Sequence, residues 1–139
     1  MSKYKFILEK QDKNARSGTI KTSLGEIKTP AFMPVATQGA IKSTPINIIE
    51  EIGYEMILSN TYHNILRPGL KIIREFTNLS KFMDWNKPIL TDSGGFQVMS
   101  LSKLRKITKK GVIFQSHIDG SSHELTPENV VETQNIIGS

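Results

Sequence analysis

Cysteine is absent from the 139 residues, so this chain can form no disulfide and offers no thiolate to a metal. Long apolar runs are absent too. None approaches the roughly 18 residues needed to span a bilayer. The N-terminal Met1-Ser2-Lys3-Tyr4-Lys5 leads into only Phe6-Ile7-Leu8 before charge returns, too short for the core of a secretion signal. The expectation is a cytoplasmic protein with no membrane partner. Histidine is sparse: His63, His117 and His123 lack the i, i+4 spacing of a helical zinc site. Two of them could share a metal only if the fold brought them together. No repeat and no low-complexity tract is present. Acidic side chains are in the minority, 13 against 18 Lys and Arg, which leaves a formal charge of +5. That balance favours an anionic partner such as nucleic acid, with ordinary surface solubility as the plainer alternative.

The length predicts about one domain, large enough to bury a core without staples. Tyr4 to Glu9 reads as a strand, Gln11 to Gly18 as a polar loop, and Thr19 to Thr22 as a second strand. A turn follows at Ser23-Leu24-Gly25-Glu26, which makes an antiparallel hairpin. Phe32 to Val35 reads as a buried strand that Pro34 confines to an edge or an end. Ser43-Thr44-Pro45 predicts a helix start, with a hydroxyl cap and proline at the first helical position. Ile46, Ile49 and Ile52 or Ile48 supply its apolar face, and Gly53 its stop. Tyr54 to Asn60 is the next strand.

Thr61 to Leu66 reads as a helical turn broken at Pro68-Gly69. Leu70 to Phe76 is a helix with Leu70, Ile73 and Phe76 inward, and Leu79 to Trp85 a shorter helix with Phe82 and Trp85 on its apolar side. Pro88 to Asp92 is a further strand. Strands ending in polar residues at Asn60 and Asp92, with helices between, predict an α/β barrel or an open sheet. Gly111 to Gly120 alternates apolar and polar residues and ends in Asp119-Gly120, a half-exposed hairpin in which Asp119 is a turn residue. Thr126-Pro127-Glu128 starts a last helix containing Val130, Val131, Ile136 and Ile137. Three parallel strands do not close a barrel, which takes eight and roughly 250 residues.

The chemistry concentrates in Asp92-Ser93-Gly94-Gly95-Phe96-Gln97. An acid at the carboxyl end of a buried strand, followed by a glycine turn, is where parallel α/β folds place reactive groups. Ser93 and Gln97 offer hydrogen bonds and Phe96 a flat face for stacking. The plainer reading is that Asp92 and Ser93 cap the following helix. Directly after it come Lys103, Arg105, Lys106, Lys109 and Lys110, candidates for phosphate contact or simply a solvated face.

Four stretches, taken in order, carry a resemblance. They are Thr29 to Gly39, Leu58-Ser59-Asn60-Thr61-Tyr62-His63, Asp92 to Val98, and Ser116-His117-Ile118-Asp119-Gly120. Together they resemble the N-terminal part of the bacterial tRNA-guanine transglycosylases. The resemblance implies the N-terminal portion of a TIM (β/α)8 barrel, with an antiparallel cap over residues 1–30, first barrel strands and helices over 31–139, and an inserted hairpin. It implies exchange of the wobble guanine of certain tRNAs for a 7-deazaguanine precursor of queuosine. Asp92 matches the general acid/base. Asp92, Ser93, Gly94, Gly95 and Phe96 match the floor of the guanine pocket, with Phe96 stacking on the base and Gln97 beside it. Asn60, Leu58 and Val35 match positions near the ribose. The implied partners are tRNA, the 7-deazaguanine base, a second copy in a homodimer of the full-length enzyme, and a C-terminal partner chain.

The chemistry agrees with that assignment. Exchange at an anomeric carbon parallels retaining glycosidases, in which one carboxylate attacks the sugar and another acid moves protons. The base must be flipped out and read by hydrogen bonds and stacking. The family's nucleophilic aspartate and its zinc, held by three cysteines and a histidine, match nothing here, so no cofactor is expected in this chain. The expectation is therefore an N-terminal fragment, a split gene product or a decayed gene, inactive alone. The alternative is a non-catalytic RNA-binding or interaction subunit of the same fold, and a third reading is an unrelated α/β binding domain.

Overall fold

A computed structural model describes residues 4–101 and 104–139. Its architecture is α/β, three three-stranded sheets with helices packed between them. The first sheet is antiparallel, β1 (Lys5–Asp12), β2 (Ala15–Thr22) and β3 (Gly25–Thr29) in that order. The polar stretch expected as a loop over Gln11 to Gly18 is instead mostly strand. Asp12 pairs Ala15 across a two-residue turn at Lys13-Asn14, with Lys13 at φ 53°. Both faces of this end of the ribbon lie in solvent, so its residues are polar without being a loop. Ile27 is the buried anchor of this sheet.

The second sheet is parallel and holds β4 (Val35–Ala36), β5 (Ile57–Ser59) and β6 (Ile89–Thr91) in chain order. The expected strand at Phe32 to Val35 shrinks to two residues, and Phe32 is 72% exposed. Pro34 has no N–H to give a ladder, but its carbonyl accepts Leu58 N at 2.9 Å, so pairing begins there. Alternation then sorts the sheet. Ala36, Ile57 and Ile89 face helices in a core with Ile49, Ile73, Leu79, Met83, Trp85 and Ile137. Val35, Leu58 and Leu90 share one row by register on the other face, where Val35 is 50% and Leu90 42% exposed.

Helix α1 (Ile46–Ile52) joins β4 to β5 and ends at Gly53 in the left-handed region, φ 92°. Its start departs from expectation. Pro45 is the extended residue before the helix rather than its first turn, and no hydroxyl caps it. Ile49 is its buried residue, whereas Ile52 is 61% exposed and Ile48 exposed as well.

Between β5 and β6 lie α2 (Thr61–Asn64), a π-helical segment over Ile65–Gly69 that kinks at Arg67, α3 (Leu70–Glu75) and α4 (Leu79–Met83). Ile73 is buried but Phe76 is exposed. The helix expected to reach Trp85 stops at Met83, because Asp84 turns left-handed. Trp85 is nonetheless fully buried, its Nε1 donating to Pro88 O at 3.2 Å.

After β6 come α5 (Gly95–Leu101) and a third, antiparallel sheet of β7 (Arg105–Ile107), β8 (Val112–Gln115) and β9 (Ser122–Leu125). The expected hairpin is thus a three-stranded sheet, since the basic segment itself supplies β7. Phe114 and Leu125 pack against Tyr62 and Val98 in a second core. The closing helix α6 (Pro127–Ile137) starts as expected at Thr126, in a reciprocal capping box with Asn129. Among the described residues, no helix is long and apolar enough to cross a membrane.

Candidate active site

The polar ends of β5 and β6 meet. Asn60 follows β5 and caps α2, its Oδ1 accepting His63 N at 3.0 Å. That bond fixes the amide so that its Nδ2 donates to Asp92 Oδ2 at 2.7 Å. Asp92 Oδ1 accepts Thr61 N at 2.9 Å and Gly94 N at 3.2 Å. The carboxylate therefore takes three donors, two of them backbone N–H groups beside a helix start. Thr61 Oγ1 donates to the main-chain carbonyl of Asp92 at 2.5 Å, and Gln134 Nε2 of α6 donates to the same oxygen at 3.0 Å.

The turn after Asp92 is shaped by Gly94, at φ +77°. A Cβ there would stand 2.8 Å from Tyr62 N and 3.1 Å from Tyr62 Cβ, so the turn sits directly on the backbone of a fully buried tyrosine. Ser93 is exposed and its Oγ accepts Gly95 N at 3.4 Å. The capping reading of Asp92 and Ser93 therefore has its bonds, and the carboxylate's other two donors go beyond what a cap requires. The Phe96 ring, one residue into α5, is 78% exposed. Gln97 Oε1 is buried with no partner among the described residues.

The structure brings Asn60 and Asp92 into direct contact and lines up Val35 and Leu58 as neighbours on the strands below them. The basic candidates lie elsewhere. Arg105 and Lys106 are exposed on β7, and Lys109 and Lys110 stand at a tight turn closed by Thr108 N to Gly111 O at 2.8 Å. Lys103 is outside the described residues.

Behind the site is a ring cluster that residue spacing alone did not reveal. Tyr62 stacks on His117 at 5.8 Å and 15°, and its hydroxyl bonds His117 Nδ1 at 2.8 Å. His63 stands edge-on to both, 5.2 Å from Tyr62 and 6.0 Å from His117. Burial, with the nearby His117, lowers the pKa of His63 below the usual histidine value, while Asp92 pulls it back in part. Burial raises the Tyr62 hydroxyl. His123 packs apart from these, on Phe114 at 5.5 Å. Among the described residues no group of three or more His, Asp and Glu could hold a metal. Asp119 occupies the β8–β9 turn, where the Ser121 and Ser116 hydroxyls hold its carboxyl down to about 2.

Thr61 and Gln134 were missed by sequence reasoning. Thr61 lies inside the Asn60-Thr61-Tyr62-His63 stretch, so its position carried a signal. Gln134 sits 42 residues from its partner and carried none.

The comparisons with known proteins bear on the same segments. The family model described as queuine tRNA-ribosyltransferase matches residues 11–139. A queuine tRNA-ribosyltransferase of Rickettsia felis is 55% identical over 139 residues, covering 100% of this chain and 38% of the relative. That of Rickettsia prowazekii is likewise 55% identical, covering 100% and 38%. That of Thermoanaerobacter pseudethanolicus is 57% identical over 137 residues, covering 99% and 36%. The chain thus spans under two-fifths of the length of these curated relatives. A match that runs unbroken through the strand ends, the Gly-Gly turn, the third sheet and α6 places the chain in the queuine tRNA-ribosyltransferase family.

Proposed function

We propose that this chain supplies the acid/base half of a tRNA-guanine transglycosylase, which exchanges the wobble guanine of tRNA for a 7-deazaguanine precursor of queuosine. The observation that carries the reading is Asp92 itself. Within a family of tRNA-ribosyltransferases, it stands at the carboxyl end of a parallel strand, held by Asn60, Thr61 and Gly94. The glycosidic bond to guanine breaks as a second aspartate, outside this chain, attacks the ribose C1′. The leaving base takes a proton from Asp92. The incoming base returns a proton to Asp92 as its nitrogen displaces the enzyme carboxylate, so protons and bonds balance. Phe96 stacks on the flipped base, Ser93, Gly94, Gly95 and Gln97 offer its polar edge hydrogen bonds, and Val35, Leu58 and Asn60 line the ribose side.

The same reading places the parallel sheet in a (β/α)8 barrel, with residues 1–30 as its antiparallel cap. Parallel sheets are ordinarily covered on both faces, and the row of Val35, Leu58 and Leu90 is partly exposed on one. The missing cover belongs to the remaining length of the relatives, as continued chain or as a C-terminal partner. The full-length enzyme pairs as a homodimer in the cytoplasm, where its tRNA is. The family zinc needs cysteines that this chain lacks, so no step here runs through it.

The test joins this chain to the remainder of the Rickettsia felis relative and measures labelled guanine exchange into cognate tRNA. Asp92→Ala should lower exchange by about 10²–10⁴-fold while sparing most tRNA binding, which phosphate contacts dominate. Exchange within tenfold of the parent would rule out the acid/base role. Residues 1–139 by themselves should give no exchange. Turnover above background without a second polypeptide would show that the absent aspartate is dispensable.

A further inference from the structure

Asp92 is gripped at both ends of the residue. Its carboxylate faces α2, while its main-chain carbonyl accepts Thr61 Oγ1 at 2.5 Å and Gln134 Nε2 at 3.0 Å. Asp92 lies one residue past the β5–β6 ladder, so no strand partner among the described residues fixes this peptide. Buried backbone groups without a ladder partner are satisfied by side chains, and here two side chains from different helices do it. Thr61 is fully buried and acts twice, its N–H on the carboxylate and its hydroxyl on the carbonyl. Gln134 also donates to Thr91 Oγ1 at 3.2 Å, and Thr91 Oγ1 in turn meets Ser139 Oγ at 2.6 Å. Turning the Asp92 peptide would swing its Cα–Cβ bond and move the carboxylate off its donors.

We infer that Thr61 and Gln134 are positioning residues: by clamping the Asp92 carbonyl they set the direction in which its carboxylate points. The catalytic consequence rests on the transglycosylase reading, but the clamp itself does not. It makes α6 part of the active-site scaffold although no α6 side chain reaches the carboxylate.

The experiment uses the 139-residue chain with three variants. Thr61→Val keeps shape and loses the hydroxyl, Thr61→Ser keeps the hydroxyl, and Gln134→Met removes the second donor on a partly exposed helix. Amide hydrogen exchange is read at Gly94, whose N–H bonds Asp92 Oδ1, with Ile57 and Leu58 as controls bonded elsewhere to Pro88 O and Pro34 O. Thr61→Val and Gln134→Met should each speed exchange at Gly94 about tenfold or more, the gain expected from about 1.4 kcal/mol of lost protection. The controls should stay unchanged and Thr61→Ser should stay near the parent. Unchanged exchange at Gly94 overturns the clamp. So does equal acceleration at all three amides in Gln134→Met, which would make the bond merely structural.

In the joined enzyme, kcat should fall by about 10- to 100-fold with KM for tRNA unchanged, and Thr61→Ser should restore it. A loss confined to KM also overturns the proposal. If the joined parent shows no exchange at all, the functional reading fails, and the Gly94 measurement still decides the clamp.

Discussion

Gly94→Ala tests whether the turn behind Asp92 is as tightly seated as its geometry requires. Two effects add. The residue sits at φ +77°, where an L side chain is strained, at about 1–2 kcal/mol. The new methyl would also stand 2.8 Å from Tyr62 N and 3.2 Å from Tyr62 Cα. These are backbone atoms of a fully buried residue and cannot swing aside. Overpacking of this kind costs about 1–3 kcal/mol, so the total is about 2–5 kcal/mol.

Two other glycines separate the terms. Gly53 has φ +92° with nothing within 4 Å, so Gly53→Ala carries the strain alone, about 1–2 kcal/mol. Gly95 has no left-handed φ, and a Cβ there meets only Ser93 Oγ at 3.4 Å. Gly95→Ala, at the first residue of α5, should be neutral or stabilising by less than the roughly 1 kcal/mol of a helix interior. The assay is urea unfolding of the chain followed by the fluorescence of its one tryptophan, Trp85, which is fully buried. The order expected is Gly94→Ala well below Gly53→Ala, and Gly53→Ala below Gly95→Ala. If Gly94→Ala loses no more than Gly53→Ala, the contact with Tyr62 yields, and the turn is not a rigid seat for Asp92.

Two further outcomes follow from the electrostatics. Replacing Lys106, Lys109 and Lys110 by Ala in the joined enzyme should weaken tRNA binding and flatten its salt slope by about 0.7–0.9 per lost phosphate contact. An unchanged slope leaves these residues a solvated face. Burial depresses the pKa of His63 in the fold, so the unfolded chain takes up this proton first as pH falls. His63 therefore contributes stability that is present above about 6.5, the ordinary histidine value, and lost as pH drops through its lower folded value. Unfolding midpoints measured from pH 7 to 5 should fall more steeply for the parent than for His63→Gln. Parallel profiles would mean that the Asp92 charge offsets the burial and the nearby His117.

Legibility in the sequence followed the range of the interactions. The cap at Thr126, the stop at Gly53 and the apolar strands leading to Asn60 and Asp92, each of which the structure ends one residue earlier, are set by residues within a few positions, and local chemistry revealed them. Asp92 stood out for the same reason, because its strand and its glycine turn are contiguous. The antiparallel pairing of Tyr4 to Glu9 with Thr19 to Thr22 was legible, but the far end of the β1–β2 ribbon, Gln11 to Gly18, was hidden because exposure on both faces removes the alternation that marks a strand. Strand β7 was hidden by Arg105 and Lys106, whose pairing with Phe114 and Ile113 is not written in their composition. Trp85 read as part of a helix face, yet it is buried from beyond the helix end by its bond to Pro88 O. The donors on Asp92 come from 2, 31, 32 and 42 residues away, and only the nearest was deducible before the fold was known.

That distribution of partners bears on how the site is divided. The donors described on Asp92 come from Asn60 and Thr61 at the start of α2, from its own turn and from α6. The acid can therefore be aimed before any further segment is added. On the proposed reading, the second carboxylate comes from outside this chain. Asp119, the acid in the third-sheet turn, has its oxygen engaged by Ser121 N at 3.1 Å and Ser121 Oγ at 2.7 Å. One face of the parallel sheet is partly open, with Val35 and Leu90 exposed. A cleft of about 410 Å³ beside β6 is lined by Tyr4, Ile27, Leu90, Val131 and Ser139, and β6 pairs only with β5 among the described residues. On the proposed reading, the remaining length of the family fills that side and brings the nucleophile to an acid already in position. Covalent attack on the ribose then depends on the second segment, while protonation of the leaving base depends on the first.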